Sequence, residues 1–230
     1  MPFDPLYLLF VLPGLVLAMI ATVLTQTTFG RYSRIAAASG LSGAEAARQL
    51  LEENGIHDVE VRMTGGFLSD HYNPVNRTLN LSPSVYRSGS LAAIGVACHE
   101  AGHAIQHATG YGPLALRTAL VPAMQIGNNI SYLLIILGML TGMLALAKVG
   151  VILFGLAVLF SVITLPVEWD ASARAKRLMV SSGIVTPAER EHAGQVLNAA
   201  FMTYVAAAVT SLLTLLYYLF RLGLIGGRRD

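Results

Sequence analysis

His99 and His103 stand four residues apart, with a glutamate between them, in the string His99-Glu100-Ala101-Gly102-His103. On a helix, residues at that spacing share a face, so two imidazoles can point at one metal ion. Glu100 then lies beside the metal's open coordination position, where it can take a proton from water. These residue types in this order suit hydrolysis of a peptide bond. The flanks predict the helix that the motif requires. Leu91-Ala92-Ala93-Ile94-Gly95-Val96-Ala97-Cys98 precede it and Ala104-Ile105-Gln106-His107-Ala108-Thr109-Gly110 follow it. Ser90 reads as the N-cap, and Gly110 with Gly112-Pro113 as the stop. A helix so apolar is buried, and two histidines and a glutamate inside it need partners. A zinc ion supplies them. Cys98, the single cysteine, turns to another face of the helix and reads as a small core residue. No intrachain disulfide is possible.

A catalytic zinc takes three protein ligands and keeps one position for water. His107 lies four residues past His103, about 6 Å further along a straight helix, which carries it beyond the ion. His71 and His192 are remote and lack local support. Glu168 is the strongest candidate. It follows an apolar run directly, in Leu165-Pro166-Val167-Glu168-Trp169-Asp170-Ala171-Ser172. A carboxylate at a membrane edge is costly unless paired or metal-bound. Asp170 is the alternative ligand, or else an acceptor that orients a histidine. Arg174 and Tyr204 are candidate donors to an oxyanion.

The elements that must position these residues are unusually apolar. Of 230 residues 54% are hydrophobic and 12% charged, which points to membrane spans. The formal net charge of +2 argues against a nucleic-acid partner. Four segments read as spans: Leu6 to Leu24, Tyr132 to Ala147 entered by a longer helix from near Leu120, Val149 to Pro166, and Ala199 to Phe220. The middle two read as a tight helical hairpin turning at Lys148-Val149-Gly150. The first lacks the basic n-region of a signal peptide and reads as an anchor. Arg31, Arg34, Arg48, Arg62, Arg77 and Arg87 crowd one long loop, and Arg174, Lys176, Arg177 and Arg190 the other. The positive-inside rule puts both loops in the cytoplasm, although Arg221, Arg228 and Arg229 oppose the parity of four spans. Two spans separate His103 from Glu168, so both face one side of the membrane.

Ser42-Gly43-Ala44-Glu45 is a capping-box signature and predicts a helix from Gly43 to Asn54. Val59 to Met63 reads as a strand. Phe67 to Tyr72, Asn73-Pro74-Val75-Asn76 and Arg77 to Leu81 read as strand, turn and strand. An edge strand just upstream of a zinc helix can hold an extended substrate or serve structure alone. Thr186-Pro187-Ala188-Glu189 is a second capping box, with proline at the first helical position. The helix it opens can run unbroken into the last span.

The strings Gly66-Phe67-Leu68-Ser69-Asp70-His71-Tyr72-Asn73-Pro74, His99-Glu100-Ala101-Gly102-His103-Ala104-Ile105-Gln106-His107 and Pro166-Val167-Glu168-Trp169-Asp170-Ala171-Ser172 resemble the YugP-like neutral zinc metallopeptidases, from the first span to the last. More distantly the chain is similar to the HtpX and CAAX-prenyl protease group. The resemblance implies a multi-pass membrane protein with zinc on His99, His103 and Glu168, and Glu100 catalytic. In the distant group an aspartate lies four residues after the ligand glutamate; that position is Ser172 here.

The expectation is a mainly α membrane protein with about four transmembrane helices and a small α+β cytoplasmic zinc-peptidase region. Its divisions are an N-terminal anchor (1–29), a zinc-peptidase region (30–118), a transmembrane hairpin (119–167), a cytoplasmic segment with the third ligand (168–198), and a C-terminal span and tail (199–230). The expected activity is zinc-dependent endopeptidase cleavage of membrane or membrane-proximal proteins, with one zinc per chain and the active site on the cytoplasmic side. The partners implied are a protein or peptide substrate and the lipid bilayer. The alternative is a membrane scaffold or chaperone-like protein keeping zinc for structure only. A metal transporter would need polar ligands within the spans, which hold almost none.

Overall fold

The computed structural model describes residues 4–66 and 69–226, the side chains of residues 126 and 128 apart. Two compact units emerge. One comprises Met1–Ala21, Leu116–Leu165 and Thr203–Asp230, the other Thr22–Ala115 and Pro166–Met202.

The second unit holds a small sheet and the motif helix. Helix α2 (Gly43–Glu53) starts at a complete capping box, with Ser42 Oγ accepting from Glu45 N–H and Glu45 accepting from Ser42 N–H. Strands β1 (Glu60–Met63), β2 (His71–Asn73) and β3 (Thr78–Leu81) form a sheet in the order β1-β3-β2. β1 runs parallel and β2 antiparallel to β3, so the expected hairpin is present and β2 is an edge. The first part of its predicted strand, Phe67 and Leu68, lies outside the described residues. The short α3 (Pro83–Tyr86) leads into α4 (Leu91–Ala108), whose N-cap Ser90 accepts from Ala93 N–H. Gly110, at φ 65°, follows the C-cap Thr109, as expected. Helices α2 and α4 pack against each other, and Leu50, Leu79, Leu81, Ile94 and Cys98 are fully buried in the shared core.

The long helices are α1 (Pro5–Tyr32), α5 (Gly112–Thr141), α6 (Leu144–Ser181) and α7 (Pro187–Arg221). Among the described residues α1, α6 and α7 are each long and apolar enough to cross a membrane. Within α5, Gly112–Gln125 and Asn129–Thr141 meet at a 47° bend and make a fourth span if they cross as one. Mainly α membrane architecture with a small sheet is therefore what the chain adopts. α7 runs unbroken from its capping box, where Glu189 accepts from Thr186 N–H at 2.8 Å.

The hairpin turn is not where it was expected. α5 ends at Thr141 and α6 begins at Leu144, with Gly142 at φ 71° between them, while Lys148-Val149-Gly150 lies inside α6. Gly142 supplies the left-handed conformation that ends a helix. Gly150 serves close packing instead: a Cβ there would sit 2.8 Å from Ser131 O of α5, the small-residue contact by which apolar helices approach.

Candidate metal centre

Two helices meet at the site. On α4, His99, His103 and Gln106 fall on one face, with Glu100 on the next. On α6, Val167, Ala171, Ala175 and Met179 form a fully buried stripe, with Glu168 and Ser172 one residue along. The helices come close because α4 has no side chain at Gly102. A Cβ there would lie 2.7 Å from the backbone oxygen of Ala171.

This contact brings three of the expected ligands together. His99 Nε2 is 3.1 Å and His103 Nε2 3.5 Å from Glu168 Oε2, and ligand atoms of the three residues all lie within 4.8 Å of one another. Zinc bonds of about 2.0–2.2 Å in a tetrahedron need ligand atoms about 3.3–3.6 Å apart; the two separations from Glu168 lie close to this, and the donor set of two imidazoles and a carboxylate fits zinc. Glu168 is 1% exposed. Burial opposes its ionisation, but hydrogen bonds from His103 and His99 outweigh this and hold the carboxyl well below the usual range. Burial alone would lower His103, yet Glu168 and Glu100 beside it raise it.

Glu100 is buried, and its Oε2 accepts from the backbone N–H of Tyr72 at 3.0 Å. Tyr72 is on β2, so the free edge of the sheet faces Glu100. The loop before β2 is tied back by Asp70, which accepts from Ser82 N–H and Oγ–H at 2.7 and 3.1 Å. Burial pushes the Asp70 carboxyl above its ordinary range.

The other candidates lie elsewhere. His107 Nδ1 pairs with Tyr72 Oη at 2.8 Å. His71 Nδ1 meets Ser69 O at 2.8 Å, and the ring of His192 stacks on Tyr32. Asp170 does not join the cluster. Its Oδ2 accepts from Arg174 Nε at 2.6 Å and from Gln106 Nε2 at 2.8 Å. Arg174 also lies over the Tyr111 ring. Tyr204 belongs to the other unit. Two contacts escaped the sequence reading. Ser172 Oγ is 3.1 Å from His99 Nδ1, and Gln106 Oε1 is 2.9 Å from His103 Nδ1. Their positions carried a signal: Ser172 is one turn past Glu168, and Gln106 two turns past His99.

Comparison with known proteins agrees with this geometry. Residues 7–223 match the family described as "Putative neutral zinc metallopeptidase". The chain is 44% identical over 213 residues to "Putative membrane protease YugP" of Bacillus subtilis (strain 168), covering 93% of this chain and 95% of that protein. No solved structure matches. With a family match spanning nearly its whole length and a ligand cluster able to hold the metal, the chain belongs to this family of zinc metallopeptidases.

Proposed function

We propose that the chain is an integral-membrane zinc endopeptidase that cleaves membrane or membrane-proximal proteins. The observation that carries this is the gathering of His99, His103 and Glu168 within 4.8 Å, with Glu100 beside the two histidines on α4. His99, His103 and Glu168 hold the metal. When bound, zinc polarises the scissile carbonyl and lowers the pKa of a water. Glu100 takes a proton from the attacking water and passes it to the leaving amine. Tyr72 N–H fixes Glu100 Oε2, which leaves Oε1 to accept that proton. The edge of β2 beyond Tyr72 N–H, which Glu100 occupies, is the surface along which an extended substrate would lie. Asp170 and Arg174 act on the orientation of the site through their mutual ion pair. The name of the Bacillus relative, "Putative membrane protease YugP", is in keeping with this reading. Glu168 directly follows an apolar run in α6, which favours substrates close to the bilayer.

The test is degradation of casein or a membrane-tethered peptide by purified protein. Hydrolysis should require zinc, stop with a chelator and return on adding zinc. A protein that binds zinc stoichiometrically yet cleaves neither substrate would favour the structural-zinc alternative.

A further inference from the structure

The two histidines are wired differently. His103 Nδ1 faces Gln106 Oε1 at 2.9 Å. Nε2 of the same amide donates to Val167 O and Asp170 Oδ2, both at 2.8 Å. Gln106 is 0% exposed, so no water competes for these groups.

The network determines which way the amide faces. A backbone carbonyl accepts only, and so does an ionised carboxylate. Asp170 Oδ2 also accepts from Arg174 Nε at 2.6 Å. The NH₂ of Gln106 must therefore face Val167 and Asp170, which turns its oxygen towards His103. That oxygen also accepts only, so His103 Nδ1 must carry the hydrogen. In the neutral ring that binds a metal, the lone pair is then left on Nε2, the atom 3.5 Å from Glu168 Oε2. His99 has no such constraint. Its Nδ1 partner is the Ser172 hydroxyl at 3.1 Å, which can donate or accept and so specifies no tautomer.

We propose that Gln106 is a positioning residue of the metal centre. It holds His103 as the Nδ1–H tautomer with Nε2 directed at the metal, and it ties that ring to the turn of α6 that carries Glu168. One side chain thus sets both the chemistry of one ligand and the placement of another. The proposal rests on the zinc site proposed above and adds a residue that touches neither substrate nor metal.

The experiment uses the full chain in detergent, with zinc affinity measured by chelator competition and histidine tautomers by ¹⁵N NMR of the zinc-loaded protein. In wild type His103 should show an Nδ1-bound proton in slow exchange, with the metal on Nε2. Metal on Nδ1 would overturn the proposal whatever any variant does. Gln106→Met keeps the volume and removes the acceptor. It should bind zinc roughly 10–100-fold more weakly and lose the slow exchange of the His103 proton, while Ser172→Ala loses less affinity. Gln106→Met with wild-type affinity and an unchanged His103 signal would overturn the assignment to Gln106 alone. Wild-type protein that holds no zinc, or His103→Ala that holds it normally, would remove the underlying metal site instead.

Discussion

Glu100 and Glu168 are both buried carboxylates, yet their neighbours sort them into different tasks. Glu168 faces two imidazoles, which hold it ionised despite burial; Glu100 faces a backbone N–H at 3.0 Å and keeps an oxygen for protons. Purified protein should hold one zinc, lost in His99→Ala, His103→Ala and Glu168→Ala. Full zinc in Glu168→Ala, measured by metal analysis, would return attention to Asp170. A pH dependence follows from the same contacts. His103 is raised, so in metal-free protein its pairing with Glu168 stabilises fully below about pH 6.5 and is lost as pH rises through its folded value. Glu168 is depressed, so its contribution is present above about pH 4.3 and is lost only as pH falls through its lowered value. Zinc must displace the proton from His103. The stabilisation zinc confers should therefore grow as pH rises above about 6.5, seen as a widening gap in Tm between zinc-loaded and chelated samples. A gap independent of pH would contradict the ligand role of His103. Helical periodicity alone made His99, Glu100 and His103 legible, and the cost of a carboxylate at a membrane edge pointed to Glu168. Gln106 and Ser172 carried only a positional signal: Gln106 meets His103 within one turn of α4, but its ties to Val167 and Asp170 and the contact of Ser172 with His99 depend on how α4 crosses α6, which no local pattern encodes.

At the scale of elements, that crossing depends on Gly102. Gly102→Ala would force a Cβ to 2.7 Å from Ala171 O, a backbone atom that cannot turn aside. It should destabilise the protein by about 1–3 kcal/mol and weaken zinc binding by moving Glu168 from the histidines. Gly155→Ala, which meets nothing within 4 Å, is the control and should leave zinc binding unchanged. Equal behaviour of the two variants in chemical denaturation and zinc titration would remove the role given to Gly102. Caps were the most legible part of the fold. Ser42, Ser90 and Thr186 each open a helix where their side chains and the following residues predicted it, because a cap satisfies its hydrogen bonds locally. The hairpin turn was misread because Lys148 supplied a charge and Gly150 a glycine between two apolar runs. Gly150 is instead a contact point for α5, and the turn belongs to Gly142, whose surroundings carry no charge. The parallel pairing of β1 with β3 was also hidden, since it joins segments that are not neighbours in sequence.

At the scale of the whole molecule, the positive-inside rule applied to the arginines of the two long loops predicts Ser33 and Ser181 on the cytoplasmic side. Cysteines there should be protected from an impermeant thiol reagent in intact cells, whereas one at Met143, beside the observed turn, should react. The native Cys98 is fully buried with its thiol pushed up to about 12, so it should stay silent. Labelling of Ser33→Cys and Ser181→Cys from outside would invert the orientation; labelling of only one would mean that the span count is wrong. The claim that joins all three scales is that Glu100 performs chemistry beside a metal it does not bind. Its most direct test is Glu100→Gln in proteoliposomes with a membrane-tethered peptide reporter, zinc content and cleavage being measured on the same sample. The account predicts wild-type zinc content with cleavage reduced by roughly 10²-fold or more. Cleavage close to the wild-type rate, with zinc retained, would contradict it.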